Sequence, residues 1–134
     1  MDVREDIFVT QLTQRGVEVM EPEPYIEKDW ITKAGVRAVV LNTGHRCGYI
    51  EVKEDSPLCN VHYNNICMEV HGGLTYSARD SRYLPTKGWW LGFDCAHLGD
   101  ATAWCNRGVL RSLDYCVNEC ESMATQLVKL EGEM

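Results

Sequence analysis

Gly88-Trp89-Trp90-Leu91-Gly92-Phe93-Asp94-Cys95-Ala96-His97-Leu98-Gly99-Asp100 is the stretch on which the fold turns. Its first half is aromatic and aliphatic, the composition of a β-strand. Side chains alternate across a strand, so Trp89, Leu91, Phe93 and Cys95 share one face and Trp90, Gly92, Asp94 and Ala96 the other. The first set is a core face. The second places a large ring, a bare glycine and a carboxylate in a row, which suits a ligand better than a core. If residues 94–98 curl into one turn, His97 falls three residues after Asp94 and within its reach. Asp100 follows a glycine free to take a positive φ. A carboxylate can fix the tautomer and orientation of a histidine, so this turn is a candidate site. The alternative is a Trp-rich core strand ending in a polar turn that Asp94 caps.

Working outward, Val36 to Leu41 reads as a strand, Asn42-Thr43-Gly44 as a turn and His45 to Lys53 as the return strand of a hairpin. Ile66 to Ser77 reads as a further strand, with Ile66, Met68 and Val70 on its apolar face and Glu69 and His71 on the other. Thr75 and Ser77 continue that second face if the register survives Gly72-Gly73. A His-Gly-Gly at a strand end can offer backbone N–H groups to an anion beside an imidazole; the other reading is a β-bulge with a surface histidine. Residues 78–87 form a polar loop whose Arg79 and Arg82 are candidates to close over a ligand. Leu113, Cys116, Val117, Cys120, Met123, Ala124, Leu127 and Val128 recur at helical spacing, predicting an amphipathic helix over 111–130 with Ser112 near its cap. The N-terminal part predicts a short helix over 2–15, then an acidic, proline-containing linker over 21–29. The predicted organisation is an extension over 1–29 and one α+β domain over 30–134. That domain is an antiparallel sheet of four to five strands covered on one face by the C-terminal helix. Its other face is expected to be polar, lined by Trp90, Asp94, Glu69, His71 and Tyr49 or Arg46.

The composition is that of a globular protein, 45% hydrophobic and 25% charged in 134 residues. A net charge of −7 argues against binding long nucleic acid, which needs a basic face. It leaves room for a small phosphorylated ligand held by one or two arginines. The seven cysteines are odd in number and contain no Cys-x-x-Cys. With no apolar leader and no membrane-spanning run, they read as reduced thiols in a cytoplasmic protein. A zinc site at Cys116 and Cys120 competes with core packing, since both lie on the helix's apolar stripe. Cys47 stands beside cationic residues, where a thiol pKa can fall.

Three chemistries suit these residues. A hydrolase acting on a nucleotide ligand would use His71 and His97 as acid and base and Asp94 as orienter. Arg46 would meet phosphate, Trp90 and Tyr49 would stack, and Gly72, Gly73, Thr75 and Asp100 would line the site. A sponge would use the same pocket without chemistry. A metal site would draw on His71, His97 and Asp94 or Asp100. No cofactor is specified, and a homo-oligomer stays open.

Gly44-His45-Arg46-Cys47-Gly48-Tyr49, Val70-His71-Gly72-Gly73-Leu74-Thr75-Tyr76, the Trp89–Asp100 block and a helix ending Met123-Ala124-Thr125-Gln126-Leu127 together resemble a family of small proteins encoded by bacteriophages and prophages. The resemblance covers about residues 30–128. It implies a genomic context more than an activity. By analogy of context it implies a host-cytosolic immune-evasion protein that recognises, and hydrolyses, a nucleotide-derived signalling molecule of bacterial anti-phage defence, such as a cyclic oligonucleotide. A protein-binding inhibitor of a host factor is the other role that such a context implies.

Overall fold

The computed structural model describes residues 23–134. Among them five strands form one antiparallel sheet: β1 (Tyr25–Ile31), β2 (Arg37–Asn42), β3 (Arg46–Val52), β4 (Tyr76–Ala78) and β5 (Trp89–Asp94), in the order β1-β2-β3-β5-β4. A single α-helix among the described residues, α1 (Leu113–Gly132), crosses one face. The expected α+β architecture is therefore the one observed. The helix foreseen over residues 2–15 lies outside the described residues.

The β2–β3 hairpin turns where Asn42-Thr43-Gly44 predicts it. The Asn42 carboxamide oxygen accepts from the Gly44 N–H (2.9 Å), and Gly44 sits at φ +100°. Ser112 caps α1 by accepting from the Tyr115 N–H (3.0 Å). The helix buries Cys116, Cys120, Met123, Ala124 and Leu127 against Ala38, Val40, Ile50, Val52, Leu91 and Phe93. Gly48 lets the helix approach closely, since a β-carbon there would lie 2.3 Å from Phe93 and 2.7 Å from Cys120 Sγ.

Three expectations are corrected. First, the acidic residues read as a linker belong to the sheet: Tyr25–Ile31 is edge strand β1, with a register shift between Ile26 and Lys28. Its carboxylates pair with the next strands, Glu27 with Arg46 and Asp29 with Arg37. Residues 25–29 are thus part of the sheet rather than a linker to it. Second, of the strand expected over 66–77 only the end reaches the sheet: the Thr75 N–H donates to the Gly92 carbonyl (3.0 Å), and Tyr76 and Ser77 pair with β5 as part of β4. Gly72-Gly73 is a turn (φ +69° and +81°), and the Gly73 N–H donates to the Val70 carbonyl (2.8 Å). Upstream of it the chain lies along α1. The Gln126 amide exchanges two hydrogen bonds with the Glu69 backbone (both 2.7 Å), and Glu119 accepts from the His71 N–H (2.8 Å). Helix side chains take the place of a neighbouring strand.

Third, the sheet face opposite α1 is not a polar ligand surface. Trp90 is fully buried there with Val39, Leu41 and Leu84, and Tyr49, Tyr76 and Tyr83 pack around them. Gly92 is bare because the Tyr49 ring occupies its place; a β-carbon would lie 2.5 Å from Tyr49 Cδ1. The indole N–H of Trp90 donates to Thr86 (3.1 Å). The ring-glycine sequence that suggested a binding face makes a second small core.

Candidate functional site

Beyond β5, where a turn over residues 94–98 is expected, the hydrogen-bonded turn falls at 97–100, the Asp100 N–H donating to the His97 carbonyl (2.9 Å), and a loop, 100–109, follows, drawn together at its neck. The Val109 N–H donates to the Gly99 carbonyl (2.8 Å) and the Ala101 N–H to the Val109 carbonyl (2.9 Å). Two histidine–aspartate pairs stand beside this neck, their imidazole centroids 5.8 Å apart.

The first pair is sealed. Asp100 is a buried carboxylate. It accepts from Arg111 Nε (2.7 Å), from His71 Nε2 (2.8 Å) and from the His97 N–H (3.1 Å). Burial pushes its pKa upward, but the Arg111 and His71 bonds and the His97 N–H outweigh that and hold it at about 2. An ionised carboxylate only accepts, so it assigns the proton on His71 to Nε2. His71 Nδ1 then accepts from the Tyr115 hydroxyl (2.8 Å). Burial raises the Tyr115 pKa and keeps that hydroxyl protonated. Both His71 nitrogens are occupied, and its side chain is only 13% exposed. His71 therefore acts as a strut between the 96–100 turn and the first turn of α1. Its role as acid or base is not supported by this geometry.

The second pair is open. His97 Nε2 lies 3.3 Å from Asp94 Oδ1 but has no hydrogen-bond partner, and it is buried. The ring rests on Gly72: a β-carbon there would lie 2.2 Å from Nε2. Close approach is thus what the bare Gly72 serves. Asp94 also accepts from the Thr75 hydroxyl (2.8 Å) and the Ala96 N–H (3.1 Å). Asp94 thereby caps the turn, as the alternative reading has it, and also faces His97. Although Nε2 is turned inward, a third of the His97 side chain is exposed (34%).

Outward of His97 lies an open cleft of about 810 Å³ lined by His45, His97, Thr102, Trp104, Cys105 and Arg107 among others. This is within the roughly 300–1,000 Å³ usual for small-molecule sites. The Ala103 N–H donates to the Gly44 carbonyl (2.7 Å), which fastens the loop to the β2–β3 turn.

Other expected site residues lie elsewhere. Arg46 does not reach the cleft. It binds Glu27 through Nε (2.9 Å) and Nη2 (3.2 Å) and the Arg111 carbonyl through Nη1 (2.8 Å). Trp90 is a core residue, and Tyr49 packs beside it, over Gly92 and edge-on to Tyr76; neither lines the cleft. Gly73 gives its N–H to Val70. Arg79 pairs with Glu54, and Arg82 bonds Tyr83; neither lines the cleft. Burial raises the Cys47 thiol to about 11, which removes it as a nucleophile. Cys116 and Cys120 are core residues, and no group of three or more metal-ligating side chains is arranged for a metal among the described residues. No helix among them is long and apolar enough to cross a membrane.

The sequence reading missed Arg111, Tyr115 and the cleft residues His45, Trp104 and Arg107. The one available signal was Trp104 and Arg107 standing three apart in a glycine-bounded loop.

Comparison of the chain with protein-family models, with curated proteins and with solved structures finds no match.

Proposed function

We propose that this chain is a phage-type immune-evasion protein that recognises a nucleotide-derived signalling molecule in the cleft beside the 96–100 turn, and hydrolyses it at a phosphodiester bond in the host cytosol. The observation that supports this is His97: a partly exposed imidazole at a cleft, backed at 3.3 Å by a carboxylate and left without a structural hydrogen bond. In this reading a small closure brings Nε2–H onto Asp94. Nδ1 then takes a proton from an attacking water, and Asp94 stabilises the imidazolium. His45, which also lines the cleft, is the second imidazole and returns a proton to the leaving oxygen. This replaces His71 in the expected acid–base pair.

A sponge that binds without cleaving is the second reading. It is favoured by the absence of hydrogen-bond alignment between His97 and Asp94. Incubation of the pure protein with cyclic dinucleotides, cyclic trinucleotides and ADP-ribose derivatives separates the two. Each mixture is chromatographed before and after heat denaturation. A new product that His97→Ala fails to form supports hydrolysis. Ligand that vanishes and returns intact on heating supports the sponge. Ligand untouched in every mixture removes the nucleotide reading.

A further inference from the structure

The described arginines of this acidic chain are nearly all engaged. Among the described residues Arg37, Arg46, Arg79 and Arg111 each bond a carboxylate, and Arg82 bonds a tyrosine hydroxyl. Arg107 is the exception: it makes no hydrogen bond or ion pair among the described residues, and it lines the cleft. Three residues earlier on the same loop, Trp104 is 41% exposed. A tryptophan is the side chain with most to gain from burial, yet this one is held out in a concavity. It is also held in place. A β-carbon on Gly44 would lie 2.6 Å from Trp104 Cη2, so the ring edge lies on bare backbone. The adjoining Ala103 N–H is bonded to Gly44, and His45 meets the ring edge-on at 6.4 Å between centroids.

A fixed, half-exposed aromatic plate and an unpaired guanidinium, both on one cleft, match a ligand that is flat and aromatic at one end and anionic at the other. We infer that Trp104 and Arg107 are the recognition pair of the site, Trp104 stacking a nucleobase and Arg107 binding the phosphate joined to it. The inference rests on the nucleotide reading above and narrows it to one nucleoside phosphate unit per cleft. Stacking on a tryptophan is indifferent to base edges, so the pair selects for a nucleotide without choosing among bases. A guanidinium binds phosphate through two parallel N–H donors, which sets the ligand's direction along the cleft. In this arrangement Arg107 holds the non-bridging oxygens of that phosphate, and Trp104, which does not touch the reacting atoms, positions it relative to His97.

The test is titration of the full chain with the four nucleoside 5′-monophosphates, their nucleosides, ribose 5-phosphate and cyclic dinucleotides, read by calorimetry and by tryptophan fluorescence. The expected result is binding of nucleotides with quenched emission, and a quench lost in Trp104→Phe, where binding persists. Trp104→Ala should weaken binding roughly 5- to 150-fold, the span of one lost base stack. Arg107→Gln should bring a monophosphate down to the affinity of its nucleoside and leave the nucleoside unchanged. Both side chains are exposed, and unchanged melting of Trp104→Phe and Arg107→Gln shows that the loop survives. If nucleotides bind the parent, Trp104→Ala and Arg107→Gln alike, the recognition pair is wrong and the nucleotide reading stands. If no nucleotide binds the parent, both fall together.

Discussion

His71–Asp100 and His97–Asp94 are the same chemistry placed in opposite circumstances. In the first, every polar atom has a partner: Tyr115 and Asp100 occupy the imidazole, and Arg111, His71 and the His97 N–H converge on the carboxylate. In the second, Nε2 is buried without a hydrogen bond, and the ring is 34% exposed beside a cleft. A fully satisfied buried network holds a unique arrangement; an incompletely satisfied one at a cleft leaves capacity for something that arrives. Residue type does not tell the two apart. The count of partners does.

That contrast can be broken in order of expected effect on stability. The largest falls on Asp100→Ala. It leaves Arg111 and His71 without their acceptor, and by analogy with other broken buried pairs should cost about 3–5 kcal/mol in urea unfolding. A loss under about 1 kcal/mol would mean that the sealed network holds little. Next, His71→Ala removes the strut between turn and helix and should cost roughly 1–3 kcal/mol by the same measurement.

The acid limb of stability follows. The folded Asp100 pKa of about 2 lies below the ordinary value of 3.8. The unfolded chain therefore binds this proton first, and the stabilisation is fully present above about pH 4 and lost as pH falls towards 2. Its size should be about 2 kcal/mol, seen as a steep fall in unfolding free energy that Asp100→Asn flattens. An equally steep fall in that variant would assign the acid limb to other carboxylates. Smallest is His97→Gln, which should move stability within about 0.5 kcal/mol, since its ring makes no structural hydrogen bond. It should at the same time abolish any turnover found. If His97→Gln destabilises as much as His71→Ala, the contrast between the pairs is false.

Periodicity made much of the fold legible. The alternation of residues 89–95 placed Leu91, Phe93 and Cys95 correctly in the main core, and the helical spacing from Leu113 to Leu127 placed the buried stripe of α1. The Asp94–His97 contact was legible because it is local, three residues along one turn. The His71–Asp100 and His71–Tyr115 bonds span 29 and 44 residues and leave no local signature. The acidic edge strand was misread because its charges are answered by Arg37 and Arg46 on β2 and β3, which composition alone treats as solvent. Trp90 was misread because one bare glycine beside a ring can mean a ligand or, as here, another ring: Tyr49 fills the space over Gly92.

The segment leading to His71 is tied to the protein by the side chains of Gln126 and Glu119, 57 and 48 residues further along the chain. A strand recruits its neighbour through backbone alone, but these backbone bonds need α1 formed and settled on the sheet. The expected order in folding is hairpins and helix first, residues 66–73 afterwards, and with them the Gly72 surface on which the His97 ring rests. Loosening that attachment with Gln126→Ala should accordingly speed unfolding while leaving the folding rate almost unchanged, as stopped-flow chevrons would show. A folding arm slowed in proportion to the lost stability would place the segment in the nucleus instead.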